Sequence, residues 1–283
     1  MDYTPKVSVI VRSFNRFLAL NELLDSLLNQ NYENYEIIVV EQSTNLTKNE
    51  KNQLLDVASH EKLHIFFYEP LGGPKARNKG VEHSSGEILL FIDDDDIPLN
   101  EYWIRDHVFH YQDEQLIGLT GRQFFNKKTD CPYIYWMRWF IRRTCMRYNW
   151  LKFPYTFAQF DEDITNVEWL HGTNSSIRRE WVLKAGLWDT HIRNQDEHSF
   201  AFKLQPFLKQ GYRLDFKKSP TIIRRMDIDG GMGKRTFSFK REFQNQFQYL
   251  SKIVYKYYPL YIILFPFHLL WVTGKSLKSL LAR

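Results

Sequence analysis

Cysteine is almost missing from this chain: Cys131 and Cys145 are the two in 283 residues. That excludes a disulfide framework and a cysteine-based structural zinc site. Glycine and proline are also sparse, at 13 and 10, while 43% of residues are hydrophobic and 25% charged. This composition excludes collagen, wholesale disorder and a polytopic membrane protein, and the length allows one large domain or two small ones. The opening Met1-Asp2-Tyr3-Thr4-Pro5-Lys6 lacks a basic stretch followed by an apolar one, so no signal peptide is expected and a reducing, cytosolic compartment is the simplest reading. The sequon-like Asn45-Leu46-Thr47 and Asn174-Ser175-Ser176 then carry no meaning for glycosylation. Acidic residues are scarce at one end: residues 201–283 hold 4 against 16 basic ones, whereas residues 1–200 hold 29 against 22. The formal charge of +5 averages these halves. A basic tail of this kind points to an anionic partner, whether a membrane surface, nucleic acid or phosphates.

What is present reads as alternating strands and helices. Val7–Val11, Glu36–Val40, His64–Tyr68 and Ile88–Ile92 are short apolar runs of strand type. Leu20, Leu23, Leu24, Leu27 and Leu28 recur at helical spacing, with Asn15 as a cap, and a polar helix is expected near residues 49–58. Gly72-Gly73-Pro74 breaks the chain before a short helix through Lys79. Such alternation implies βαβ units and a mostly parallel sheet, whose ligands bind at the carboxyl ends of the strands. Four polar segments fall there: Arg12–Arg16, Glu41–Thr44, Gly72–Lys79 and Asp93–Asp96.

Asp93-Asp94-Asp95-Asp96 follows a strand too apolar to be anything but buried. Adjacent carboxylates repel unless a cation sits among them, and carboxylate oxygens suit Mg²⁺ or Mn²⁺. In an extended segment Asp93 and Asp95 project to one side. The alternative is a solvated acidic loop before a helix beginning near Pro98. Gly72–Gly80 sets Lys75, Arg77 and Lys79 at a helix start, which suits a diphosphate, though it is neither a Walker A nor a GxGxxG loop. Taken alone, an ordinary turn leading into an exposed basic helix is the better account of it.

The segment Val7–Arg16 resembles the opening of family 2 glycosyltransferases of the GT-A fold. The resemblance continues in order through Glu36–Glu41, Ala76-Arg77-Asn78-x-Gly80, Gly86–Asp96, Gly172–Arg179, Gly186–Asp189 and Gln195-Asp196-Glu197. It implies a Rossmann-like mixed, mainly parallel sheet flanked by helices over residues 1–235, with a C-terminal helical extension over 236–283. It further implies transfer of a sugar, with inversion, from a nucleoside-diphosphate sugar to a saccharide or lipid-linked hydroxyl in surface polysaccharide synthesis. By this resemblance Asp93 and Asp95 form the Asp-x-Asp metal motif for Mg²⁺ or Mn²⁺. Donor contacts fall to Ser13, Asn15, Arg16, Glu41, Arg77, Asp93, Asp94 and Arg235, with Arg235 ending the glycine-bearing segment Gly230–Arg235. Gly172, Thr173 and Asn174 lie on the acceptor side. Asp196 matches the general base and Glu197 is the alternative. Glu41-Gln42 and Gln195 depart from the paired acids usual in the family, and a uridine or thymidine donor is favoured.

Chemistry supports the same roles. Departure of a diphosphate calls for a Lewis acid, and attack by a hydroxyl calls for a carboxylate from a distant part of the chain. Two rival readings are a phosphoryl transferase of the haloacid dehalogenase type and a non-catalytic basic protein that binds nucleic acid or membrane. The first needs Thr or Val where Ile97 stands, and the second leaves the strand-end aspartates without a purpose, so nucleic acid is not an expected partner.

The tail carries a membrane signal. Phe239, Phe243, Phe247, Leu250 and Val254 recur at helical spacing, and Tyr257–Gly274 run 18 residues without a formal charge. Pro259, Pro266 and His268 interrupt that run, which favours a shallow monotopic anchor on the inner face of the cell membrane over a spanning helix, with a core or dimer helix as the alternative. Between Cys131 and Phe160 no acidic residue occurs, and Arg138, Arg142, Arg143, Arg147 and Lys152 mix with Trp136, Trp139, Phe140 and Trp150, a headgroup-type composition. An aromatic insertion packed on the sheet is the competing account.

Overall fold

In the computed structural model, residues 3–125, 143–155, 160–192, 195–225, 228 and 239–281 are described. Strands β1 (Val7–Ser13), β2 (Tyr35–Glu41), β3 (Leu63–Phe67) and β4 (Ile88–Asp93) lie parallel in the order β3-β2-β1-β4. The apolar runs of β1, β2 and β4 bury both faces, as a sheet covered by helices requires, while β3 at the edge is only partly buried. Helix α1 (Phe17–Leu28) turns Ala19, Leu20, Leu23, Leu24 and Leu27 inward, the spacing of one helical face. Its cap is Arg16, not Asn15; Asn15 adopts φ 56° and spends its side-chain oxygen on the Thr44 N–H at 2.9 Å instead. Helix α2 (Lys48–Val57) starts in a capping box between Thr47 and Glu50, and α3 (Gly73–His83) follows the glycine turn.

Beyond β4 the sheet becomes mixed. β8 (Ser175–Arg178) pairs antiparallel with β4 and with β6 (Leu116–Phe125), and β9 (Arg213–Arg224) runs parallel to β6. The short β5 (Asp96–Pro98) and β7 (Ile164–Val167) pair antiparallel with β9. Pro98 therefore closes a strand, and helix α4 (Trp103–Phe109) begins later. α5 (Arg179–Ala185) and α6 (Asp196–Leu208) pack Trp181, Val182, Phe200 and Leu204 onto the second face of the sheet.

The C-terminal helices close a third apolar cluster. α7 (Phe239–Tyr249) continues through a π turn over Leu250–Val254, then a 3₁₀ turn (Pro259–Leu264) leads into α8 (Phe265–Leu281). Tyr249, Leu250, Ile253, Val254 and Val272 pack with Leu151, Phe153, Ile192 and Phe202. Leu250 and Val254 are buried as the periodicity predicts, but Phe247 is exposed; a π turn adds a residue per turn and rotates the apolar face. The uncharged Tyr257–Gly274 run is bent at Pro259, and among the described residues no helix is long and apolar enough to cross a membrane.

Candidate active site

Strand register does the first work. Ser13 stands beside Glu41 and Arg12 beside Asp93, so the carboxyl ends of β1, β2 and β4 form one floor where the crossovers change direction. The four polar strand-end segments meet here. The Phe14 N–H donates to Asp94 at 3.2 Å, the Leu71 N–H donates to the Gln42 side chain at 2.9 Å, and Arg12 reaches the start of α3 beside Gly73.

The aspartate run alternates in burial across a turn, not along the expected extended segment: Asp93 ends β4, Asp94 and Asp95 form the turn, and Asp96 opens β5. Asp93 and Asp95 are partly open, whereas Asp94 and Asp96 are buried. Asp94 is held by the Arg16 guanidinium at 2.8 Å and by the Phe14 amide, so it shapes the floor. Asp96 accepts from the Thr173 hydroxyl at 2.7 Å and lies 3.3 Å from Arg224, its register partner across β5 and β9. Asp93 meets Arg12 at 2.5 Å and Asp95 meets Arg16 at 2.9 Å.

Burial and charge set their proton affinities in different directions. For Asp93, burial pushes upward, but Arg12, Arg224 and Arg77 outweigh it and the carboxyl is lowered. Asp94 is pushed up to about 6 by burial, against the pull of Arg16. Burial and the neighbouring Asp93 raise Asp95, and burial lifts Asp96 to about 7 despite Arg224.

Asp93, Asp95 and Asp96 each bring a carboxylate oxygen into a set lying within 4.8 Å of one another. All-oxygen donors of this kind fit a hard divalent cation. Asp96 Oδ1 is buried and faces Arg224 Nε at 3.3 Å, so its charge is already paired. Glu41 Oε2 and Ser13 Oγ are buried and unbonded, side by side at the strand ends.

The wall opposite comes from α6 and from the chain before β8. Gln195, at φ 63°, turns the chain so that Asp196 opens α6. Asp196 forms a short ion pair with Arg77, whose other nitrogen donates to the Gly172 carbonyl at 3.3 Å. Arg77 is almost fully buried, and the Trp188 ring stacks 5.0 Å from it. Burial and Glu197 raise the Asp196 carboxyl, with Arg77 and Arg12 opposing. Glu197 packs against Gly172, where a Cβ would collide with it. His171 beside them is held neutral, lowered to about 4 by burial and by Arg224.

Of the residues expected from sequence, Ser13, Asn15, Arg16, Glu41, Asp93, Asp94 and Asp95 gather on the floor, and Arg77, Gly172, Asp196 and Glu197 form the wall. Thr173 joins the two through Asp96 and the Asp93 N–H. Asn174 points into the core, bonded to Trp103, His107, Arg122 and Pro220. Lys75 is exposed and Lys79 pairs with Glu82 at 2.5 Å, which leaves Arg77 as the inward cation of that helix. Arg235 and its glycine segment lie outside the described residues, as do Cys131, Arg138, Arg142, Trp136, Trp139 and Phe140. Sequence reasoning passed over Arg12, Asp96, His171 and Arg224 as site residues. For Arg12 a signal existed, its place at the end of a buried strand; Arg224 needed the β5–β9 pairing.

Comparison with known proteins agrees with this geometry. The family described as "Glycosyl transferase family 2" matches residues 8–186. An uncharacterized glycosyltransferase of Rickettsia typhi is 32% identical over 203 residues, 71% of this chain and 59% of its own length. A GalNAc(5)-diNAcBac-PP-undecaprenol beta-1,3-glucosyltransferase of Campylobacter jejuni is 33% identical over 93 residues, 32% of this chain and 30% of that protein. The chain spans at most 59% of the length of these relatives. Among solved structures, the mannosyltransferase PcManGT of Pyrobaculum calidifontis, in complex with GDP-Man and Mn²⁺, superposes with TM-score 0.62 at 16% identity, covering 99% of this chain and 76% of that one. S. aureus TarS 1-349 with UDP-GlcNAc gives TM-score 0.57 at 15% identity, covering 87% and 67%. At these identities the structures establish a shared GT-A architecture. Since the family match runs from β1 through the aspartate run to Gly186, the chain belongs to glycosyl transferase family 2.

Proposed function

We propose that this protein transfers a sugar, with inversion, from a nucleoside-diphosphate sugar to a hydroxyl of a saccharide or lipid-linked acceptor. The observation that carries the reading is that Arg12 pairs with the partly open Asp93 at 2.5 Å and also lies in the field of Asp196 and Glu197, while Asp95 stands beside Asp93 in one set of carboxylate oxygens. In the reaction, a bond forms from the acceptor oxygen to the anomeric carbon, and the bond to the diphosphate breaks with its electron pair leaving on phosphate.

Asp95 and Asp93 would hold Mg²⁺ or Mn²⁺, which when bound neutralises the charge growing on the diphosphate. Asp196 takes the acceptor proton. Its raised affinity suits a base, and Arg77 fixes its direction. Glu197, against Gly172, is the alternative acceptor of that proton. The unbonded Glu41 and Ser13 oxygens offer hydrogen bonds to the donor's base, and Asn15, Arg16 and Asp94 shape that corner.

The favoured donor is a UDP- or dTDP-sugar, and the favoured setting is surface polysaccharide synthesis at the inner face of the cell membrane. The name of the Campylobacter relative, with its PP-undecaprenol acceptor, supports a lipid-linked substrate. A relative named O-antigen biosynthesis protein RfbC in Myxococcus xanthus is 33% identical over 120 residues. Neither the haloacid dehalogenase reading nor the nucleic-acid one finds support among the relatives.

The test is a panel of nucleotide sugars with Mn²⁺ or Mg²⁺, read by thermal stabilisation and by turnover. UDP- or dTDP-sugars are expected to stabilise the protein most. Asp196→Asn should keep donor binding and lower transfer by about 10²–10⁴-fold. Full activity of that variant would move the base to Glu197, and no response to any sugar nucleotide would overturn the function.

A further inference from the structure

The C-terminal hairpin is apolar on both sides. On α8, Val272 and His268 turn to the protein interior, and the fully buried His268 donates its Nε2–H to the Leu151 carbonyl at 3.2 Å while Nδ1 accepts from the Tyr255 hydroxyl at 2.9 Å. The residues turned outward are apolar: Leu260 is 79% exposed, Ile263 75% and Leu270 71%. Ile262 and Phe267 are exposed too, and the exposed Trp150 meets the Phe267 ring at 5.8 Å from the other side of the chain. A contiguous apolar face of this kind is not left to water by a soluble monomer.

The charge around it selects the occupant. Lys252 and Lys256 are exposed on the preceding turn, Lys256 bridging to Asp189 at 3.2 Å, and Lys275 and Lys278 follow in the sequence. Residues 239–283, which hold the hairpin, carry 7 basic residues against 1 acidic one, so two copies placed face to face would bring like charge together. An anionic surface that also accepts hydrocarbon satisfies both features.

We propose that the face formed by Leu260, Ile262, Ile263, Phe267, Leu270 and Trp150 seats in a phospholipid bilayer bearing anionic headgroups. The hairpin lies in the interface plane, with its apolar side chains among the acyl chains and the exposed Lys252 toward the phosphates. This rests on the membrane reading above and assigns that contact to specific residues.

The experiment sediments the full chain with vesicles of phosphatidylcholine, with and without phosphatidylglycerol, and compares the double variant Ile263→Glu/Leu270→Glu. Both substituted positions are exposed, so far-UV circular dichroism and the thermal midpoint should stay at wild-type values. Wild type should bind vesicles containing phosphatidylglycerol, with weaker binding at high salt, and the variant should lose at least about tenfold in partition coefficient. Equal binding by the variant, or no vesicle binding by wild type, overturns the proposal. So does equal binding to vesicles lacking phosphatidylglycerol. Self-association in sedimentation velocity that the variant abolishes would make the face a contact between copies and overturn it too. Vesicle binding is measured without sugar nucleotide, so a protein that binds vesicles but no nucleotide sugar refutes the transferase reading alone.

Discussion

Replacing Gly172 by alanine tests whether the wall of the cleft is as tight as its contacts imply. A Cβ there collides with Glu197 Oε1 and comes within 3.1 Å of Arg77 Nη2. The two neighbours differ in how easily they give way. Glu197 ends a flexible side chain and can swing aside for about 0.5–1.5 kcal/mol, the cost of an unfavoured rotamer. Arg77 is buried, gripped by Asp196, stacked on Trp188 and bonded to the Gly172 carbonyl, so what movement it makes is passed to Asp196. Stability should therefore fall by about 1 kcal/mol, or roughly 2–4 °C in Tm for a domain of this size. Transfer should fall much further, up to about 10²-fold, since a carboxylate displaced by about 1 Å loses its alignment. Circular dichroism melts and initial rates measure the two effects separately. Combining Gly172→Ala with Glu197→Ala should recover most of the lost Tm, as the clashing oxygen is then gone. A Gly172→Ala protein with wild-type turnover would refute the placement of this wall in the reaction. A drop in Tm beyond about 10 °C would refute the claim that Glu197 yields in place of the backbone.

Asp95→Ala should abolish binding of Mn²⁺ followed by electron paramagnetic resonance, together with turnover, and wild-type activity unchanged by EDTA would refute the metal role. A different outcome is expected far from the cleft, at Glu36. Burial would raise its carboxyl, but hydrogen bonds from Ser8, the Ser85 amide, Lys6 and the Ser85 hydroxyl lower it to about 2. A lowered folded value means stability present above the ordinary carboxylate range, about 4.5, and lost as pH falls toward 2. The loss should reach about 3 kcal/mol, read from urea midpoints, and Glu36→Gln should flatten that slope; an unchanged slope would show that other carboxylates carry it.

Much of this architecture was legible before any coordinates. Strands β1 to β4 announce themselves because buried parallel strands are apolar on both faces, and the helical spacing of Leu20 to Leu27 leaves no other packing. The alternation of Asp93 and Asp95 against Asp94 and Asp96 has the outcome expected of an extended segment, but a turn at Asp94-Asp95 produces it. What escaped are facts of long-range pairing. A strand as short as Asp96–Pro98 has no periodicity of its own, yet it sets Asp96 against Arg224. The family resemblance sets Asn174 on the acceptor side, and its orientation toward Trp103 and His107 depends on a bend at Gly172–Asn174 that no local pattern marks. Asn15 competes as a helix cap in isolation, but the Thr44 amide, brought near by β2, takes its oxygen first.

Helix α6 has a consequence for how the tail should be regarded. Asp196 lies at its first position, and Phe202 further along packs against Tyr257 and Tyr258 of the C-terminal hairpin. Six residues of helix separate them, about 9 Å at 1.5 Å per residue. The tail is thus the other bearing surface of the rod that carries the proposed base. A chain cut after Tyr255 would strip His268 and Trp271 from Phe153 and Tyr257 and Tyr258 from Phe202, so poor solubility or weak turnover of such a fragment would report lost mechanical support as much as a lost anchor. Point changes on the outer face of the hairpin separate those two effects, because they leave the bearing intact.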